Sequence, residues 1–197
     1  MSDTVKIGLV FAVMGLLVLG GMSLQPSPTI DVTEINVLPE KTLEMLDPAY
    51  SEKAVYADCN ARFVFEISQT PEGVESKLSL WLHNLTDQVI AVVWDRCSIQ
   101  LPNANTVNIV HEGHDPNDSW RYLTRAGSFP PTSVAPHGEL FDTVIPVSEI
   151  ILAKNTEDAT ESFSVSSGVL DQGPFMFVLA VEIGGQINYY TFRFLIR

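Results

Sequence analysis

Apolar and polar residues alternate with a period of two along most of the chain, which is the pattern of β-strands with one buried face. Residues 62–69 and 77–83 each place apolar side chains at every second position. Near the C-terminus, residues 175–183 are apolar throughout and residues 186–197 alternate again, with a Gly-Gly pair between them that fits a tight hairpin turn. About eight or nine such segments, spaced about ten residues apart, predict an all-β domain built as a two-sheet β-sandwich.

A different pattern occupies the N-terminus, where residues 7–24 read IGLVFAVMGLLVLGGMSL and carry no charge. As a helix this run would be about 27 Å long, enough to cross the hydrocarbon core of a bilayer. Pro26 and Pro28 follow and would end it. We therefore expect residues 1–25 to form a single N-terminal transmembrane helix, an uncleaved signal anchor that leaves the rest of the chain extracytoplasmic, in the periplasm or at the cell surface. The alternative is a signal peptide cleaved near Ser23, which would release a secreted domain.

The part between this segment and the sandwich has a mixed pattern. Residues 26–58 are predicted to contain a proline-rich linker, an edge strand and one short helix. The helix is expected over residues 40–46, because Asp47-Pro48 would stop it. The β-sandwich domain is then expected to occupy residues 59–197.

Composition excludes one class of partner. The chain has 197 residues, of which 46% are hydrophobic and 9% aromatic, so it has enough apolar material for a packed core. It carries 24 acidic and 11 basic residues, which give a formal net charge of −13. Because that charge repels phosphate backbones, we do not expect nucleic acid as the main partner.

Two cysteines, Cys59 and Cys97, occur in a chain that we expect in an oxidising compartment. A disulfide between them would close a loop of about 39 residues and stabilise the fold by about 3–4 kcal/mol. Two separate buried thiols are the alternative that the sequence leaves open.

Two stretches resemble a known class of domain. Residues 78–90, LSLWLHNLTDQVI, combine an alternating strand with a polar N-x-[ST]-[DN] turn before the next strand. Residues 134–140, VAPHGEL, are similar to a hydrophobic-x-Pro-x-Gly edge turn. Both features resemble immunoglobulin-like β-sandwich domains of bacterial envelope proteins, and the resemblance covers residues 60–145. It implies the fold and its exposure, and it carries no functional residues.

One cluster has the composition of a metal site. Residues 111–115 read HEGHD, and His111, His114 and Asp115 are residue types that ligate Zn²⁺ and similar ions. The spacing differs from H-E-x-x-H, so an exposed polar loop is the competing interpretation. No G-x-S-x-G, Walker A or G-x-G-x-x-G motif occurs in the sequence, and we therefore expect neither enzymatic activity nor a cofactor.

Two tryptophans are assigned to faces by the same alternation. Trp94 ends an apolar run and is predicted to lie in the core. Trp81 shares the polar face of its strand with His83, which leaves it either exposed or covering the edge of the second sheet.

The candidate contact surface is the segment at residues 113–129. Trp120, Arg121, Tyr122 and Arg125 in this segment are of the types that dominate protein–protein hot spots. The sequence thus predicts a non-enzymatic, membrane-anchored extracytoplasmic protein that is a structural or protein-interaction component of an envelope assembly. The alternative is a metal- or ligand-binding exported domain that uses the loop at residues 111–119.

Overall fold

The structure, a computed structural model, describes residues 39–112, 129–154 and 161–197. Within these ranges the chain is all-β, with thirteen strands and three short turns of 3-10 helix, so the predicted all-β class is confirmed. The strands are β1 (Leu43–Asp47), β2 (Val55–Ala57), β3 (Ala61–Thr70), β4 (Gly73–Asn84), β5 (Ile90–Val92), β6 (Ser98–Gln100), β7 (Thr106–His111), β8 (Thr132–Val134), β9 (Glu139–Pro146), β10 (Ile150–Lys154), β11 (Glu161–Val165), β12 (Phe175–Ile183) and β13 (Gln186–Ile196). The 3-10 turns are Trp94–Arg96, Val147–Glu149 and Leu170–Gln172.

The membrane anchor predicted at residues 7–24 lies outside these ranges. Among the residues that are described, no helix has the length and apolar character needed to cross a membrane.

Eleven of the described strands form one antiparallel sheet, which folds into two layers that face each other. One layer contains β1, β13, β12 and β6, with β5 and β8 continuing from β12, and the other contains β9, β4, β3 and β2. Strand β7 joins the layers, because residues 106–108 pair with β6 and residues 109–111 pair with β9. The two separate sheets predicted from the sequence are therefore one continuous sheet that is nearly closed into a barrel. Strands β10 and β11 form a separate hairpin.

The core lies between the two layers and is rich in phenylalanine. The Phe65 ring on β3 lies 4.7 Å from Phe192 and 4.9 Å from Phe194 on β13, measured between centroids. All three side chains are buried, as the alternation predicts. Burying a phenylalanine side chain contributes about 2–3 kcal/mol, so these contacts hold the layers together.

The helix predicted over residues 40–46 is wrong, since this segment contains β1. Leu43 and Met45 are two positions apart, both are buried, and they pair with Ile196 and Phe194 of β13. A seven-residue helix has little stability of its own, because its first turn costs more entropy than its few hydrogen bonds return. Pairing with the edge of β13 completes the backbone hydrogen bonds and buries both apolar side chains, so the strand forms instead.

Asn84, at the end of β4, links two turns through hydrogen bonds of its side chain. Its side chain is fully buried, and its amide nitrogen lies 2.8 Å from the carbonyl oxygen of Gln88, 3.3 Å from that of Val134 and 2.9 Å from that of Ala135. Its side-chain oxygen accepts hydrogen bonds from the backbone N–H and the hydroxyl of Thr86. The two stretches with the immunoglobulin-like resemblance, residues 78–90 and 134–140, therefore meet at one asparagine.

Candidate functional site

A row of four apolar side chains crosses the outer face of one layer. Val55, Val64, Trp81 and Phe141 lie directly opposite one another on β2, β3, β4 and β9. We call these four residues the apolar row. Adjacent strands are about 4.8 Å apart, so the row is about 14 Å long.

Side chains along each strand alternate between the core and the outer face, and this alternation places the apolar row on the outer face. Phe63 and Phe65 on either side of Val64 are buried in the core, and so are the leucines that flank Trp81 in β4. The side chains between them therefore point away from the core. Trp81 remains 48% exposed and Phe141 63% exposed. Their rings form an edge-to-face pair with centroids 6.2 Å apart, which fixes both on the open surface.

Polar side chains border the apolar row on both sides. On one side, Arg62, His83 and Glu139 lie opposite one another, and His83 Nδ1 is 3.0 Å from Glu139 Oε1. On the other side, Glu66 lies opposite Ser79. A shallow groove of about 270 Å³ lies beside the row. It is lined by Arg62, Val64, Glu66, Trp81, His83 and Glu139.

Arg62 and Glu66 carry opposite charges on the two sides of the apolar row. Both side chains are exposed, and neither has an ion-pair partner among the residues that the structure describes. An apolar centre with a hydrated polar border is the anatomy of a protein-interaction surface.

The histidine of the predicted metal cluster lies in the interior. His111 is the last residue of β7 and is 1% exposed. Its Nδ1 is 2.8 Å from Asp142 Oδ2, and its ring stacks on Trp94 with centroids 4.2 Å apart and packs edge-to-face on Phe129 at 5.3 Å. Asp142 also accepts a hydrogen bond from the backbone N–H of Thr143. This packing of His111 differs from the exposed polar loop that the sequence suggested.

The other members of that cluster, His114 and Asp115, lie outside the described residues. Across the ranges that are described, no three His, Cys, Asp or Glu side chains are grouped so that they could hold a metal ion. The metal site at residues 111–115 therefore stays a prediction. The predicted contact residues Trp120, Arg121, Tyr122 and Arg125 also lie outside the described ranges.

Both cysteines are free thiols, so the disulfide between Cys59 and Cys97 is not formed. Cys97 is buried, and its sulfur accepts a hydrogen bond from the backbone N–H of Ala180. Cys59 is exposed in the turn between β2 and β3. The sequence left a disulfide and two separate buried thiols open as alternatives. The structure has two separate thiols, of which only Cys97 is buried. Burial raises the pKa of the Cys97 thiol to about 12, which makes it unreactive at neutral pH.

A contact between Asp58 and Tyr190 closes the turn between β2 and β3. Asp58 accepts hydrogen bonds from the backbone N–H groups of Asn60 and Ala61, and it also accepts one from the Tyr190 hydroxyl at 3.1 Å. Burial, and after it the charge of Asp58, raise the pKa of Tyr190 to about 12. The contact ties the turn to β13 in the opposite layer.

A buried carboxylate packs among hydroxyls near β10. Glu149 accepts hydrogen bonds from Ser148 and Ser166, and Ser166 lies 3.5 Å from Ser76 between hydroxyl oxygens. The backbone N–H of Ser76 also donates to the Ser166 carbonyl. These contacts attach the β10–β11 hairpin to β4, and a structural role accounts for all of them.

The sequence located part of the apolar row. Trp81 was assigned to the polar face of its strand, and it is exposed. Phe141 and the two valines were missed, because their position beside Trp81 depends on how β2, β3, β4 and β9 pair. Trp94 lies in the core as predicted, and its indole N–H donates to the Thr132 hydroxyl at 2.8 Å.

Comparison of the chain with protein-family models, with curated proteins and with solved structures finds no match in any of the three.

Proposed function

We propose that this protein is a non-enzymatic, membrane-anchored extracytoplasmic protein that serves as a protein-interaction component of an envelope assembly. The observation that carries the proposal is the apolar row, in which Trp81 and Phe141 are about half exposed or more on an open sheet face. Water covers these rings in the isolated domain, and a partner protein would remove it. A relationship to immunoglobulin-like envelope domains is part of the same proposal.

The free energy available at this surface is large enough for recognition. Trp81 and Phe141 together expose about 200 Å² of apolar surface, which corresponds to about 5 kcal/mol if a partner covers it fully. Losses of translational and side-chain freedom offset part of this gain. Aromatic anchors at the centre of a patch, with charged residues at its border, are typical of interface hot spots.

The proposed membrane anchor would raise the effective concentration of partners around this small, weakly binding surface. A helix at residues 7–24 would keep the domain within a short distance of the membrane, where partners in the same envelope are concentrated. A surface that is too weak to hold a partner in dilute solution then holds it at the membrane. The acidic character of the chain, with a net charge of −13, also keeps it from binding nucleic acid.

The test is affinity purification of the full chain from its native membranes. Wild type is compared with the double variant Trp81→Ala/Phe141→Ala and with Tyr189→Ala, a matched control. Tyr189 is an aromatic residue that is 55% exposed on the other layer. We expect the double variant to lose a stoichiometric partner protein that wild type and the control retain. Retention of that partner by the double variant would contradict the proposed surface.

The intact mass of the purified chain tests the anchor separately. A chain that keeps residues 1–25 and is extracted only by detergent supports the anchored form. A chain that begins near Ser23 and is released without detergent would refute the anchor and favour a secreted domain.

A further inference from the structure

We propose that the partner bound by the apolar row is a second copy of this chain, docked face to face on the same row. This inference rests on the proposed function and names the partner for that surface. The argument comes from the distribution of charge about the row.

The charges are placed symmetrically about the row on β3. Arg62 and Glu66 each lie two positions from Val64, one on either side, and both point outward. Two residues along a strand span about 7 Å, so the two charges are about equally far from the row. Neither has an ion-pair partner among the described residues, as noted above.

A two-fold axis parallel to the row makes these charges complementary. Rotation about that axis lays the row of one copy on the row of the other and exchanges the two sides of the row. Arg62 then faces Glu66 of the second copy, and Glu66 faces Arg62 of the second copy. Self-complementarity of this kind is what an isologous dimer interface requires.

The remaining border positions fit the same arrangement. His83, which already pairs with Glu139, faces Ser79 of the second copy, and Glu139 faces the position of Thr143, whose side chain is buried. The Ser79 hydroxyl can accept or donate a hydrogen bond without repulsion. No like charges among the border residues named here face each other across the axis.

Local charge balance favours a second copy over a basic partner. The chain as a whole carries a net charge of −13, which by itself would attract a cationic protein. Around the apolar row, however, Arg62 offsets Glu66, so that Glu139 is the single remaining acidic charge among the border residues. A strongly basic partner would gain little attraction at this face.

The size of the face predicts a weak dimer. The face consists of the apolar row and one polar row on either side of it, across four strands, and presents roughly 400 Å² per copy. Stable interfaces bury about 800 Å² per partner. We therefore expect association at high micromolar concentration in solution and nearly complete pairing when the copies share a membrane.

Sedimentation of the full chain in nonionic detergent, from about 1 to 500 µM, tests the inference. Residues 37–197, which form one compact unit that includes every described strand, are measured in parallel without detergent. The variants are Arg62→Glu and Glu66→Arg, each alone and mixed in equal amounts, with Tyr189→Ala as the control. Unchanged urea midpoints establish that each variant is folded.

We expect wild type and the control to dimerise with concentration, each charge reversal to weaken association at least tenfold, and the equimolar mixture to recover it as a heterodimer. In that mixture each reversed charge faces its opposite. A monomeric wild type over the whole range, or a mixture that stays monomeric while both variants are folded, would overturn the inference. If wild type is monomeric but Trp81→Ala/Phe141→Ala still abolishes capture of a different protein, the proposed function stands and the second copy is wrong.

Discussion

Asn84 provides the sharpest test of how the turn after β4 and the turn between β8 and β9 are held together. Replacing Asn84 with alanine removes a fully buried amide that bridges the turn after β4 to the turn between β8 and β9. The amide has two N–H donors, which are shared among three carbonyl oxygens, and one oxygen that accepts two hydrogen bonds from Thr86. Alanine makes none of these contacts, and it leaves the carbonyls of Val134 and Ala135 without this donor.

The expected loss in the free energy of unfolding of Asn84→Ala follows from the number of hydrogen bonds that the Asn84 side chain makes. Four hydrogen-bonding positions at about 1 kcal/mol each give about 4 kcal/mol. The groups of Thr86 and Gln88 lie close to solvent and regain water, so the expected loss in the free energy of unfolding is about 3 kcal/mol. With a urea m-value of about 2 kcal/mol/M, the midpoint falls by about 1.5 M.

The assay is equilibrium urea unfolding of the full chain, followed by tryptophan fluorescence. Asn188→Ala is the matched control, because Asn188 is exposed and its side chain makes one hydrogen bond of 3.3 Å to the Gln186 carbonyl. We expect this control to change the free energy of unfolding by less than about 0.5 kcal/mol. If Asn84→Ala falls within that same margin, the bridging role assigned to Asn84 is wrong.

Three further predictions concern the two cysteines, Tyr190 and Asp142. Without reductant, native protein should react with a thiol reagent at Cys59 alone and denatured protein at Cys97 as well; no reaction in denaturant would mean a disulfide. The pKa of Tyr190 is raised from 10.0 to about 12, so its stabilising effect is complete below pH 10 and lost toward pH 12; Tyr190→Phe should flatten that part of the stability curve, and an unchanged slope would contradict it. Asp142→Ala removes the carboxylate beside the buried ring of His111 and should cost about 2–4 kcal/mol in the same urea assay, whereas a loss below 1 kcal/mol would refute that role.

Local alternation was informative wherever one face of a strand meets the core. The period of two at residues 62–69 and 77–83 predicted strands and their buried faces, and both are correct. The hairpin of residues 175–197 was also predicted correctly, because its turn and its apolar faces are encoded within about twenty consecutive residues. In these elements each residue's environment depends on its near neighbours in the chain.

Prediction from local alternation fails where a residue's environment is formed by strands that are distant in the sequence. Residues 40–46 resemble a short helix on their own, and only the free edge of β13 makes them a strand. His111 ends β7, as the predicted strand at residues 107–111 implies, but the exposed polar loop expected at residues 111–115 does not describe its side chain. Asp142, Trp94 and Phe129 enclose that side chain from three other parts of the chain. No local pattern encodes those contacts.

The sequence by itself determined the all-β class and most strand faces, because the alternation of apolar and polar side chains is a property of the chain alone. Tertiary structure decided that β7 joins two layers into one sheet, that Cys59 and Cys97 stay apart, and that four apolar side chains from β2, β3, β4 and β9 stand in one row. The row exists only because strand pairing brings residues 55, 64, 81 and 141 into register, and register is fixed by long-range backbone hydrogen bonds and by burial of the opposite face.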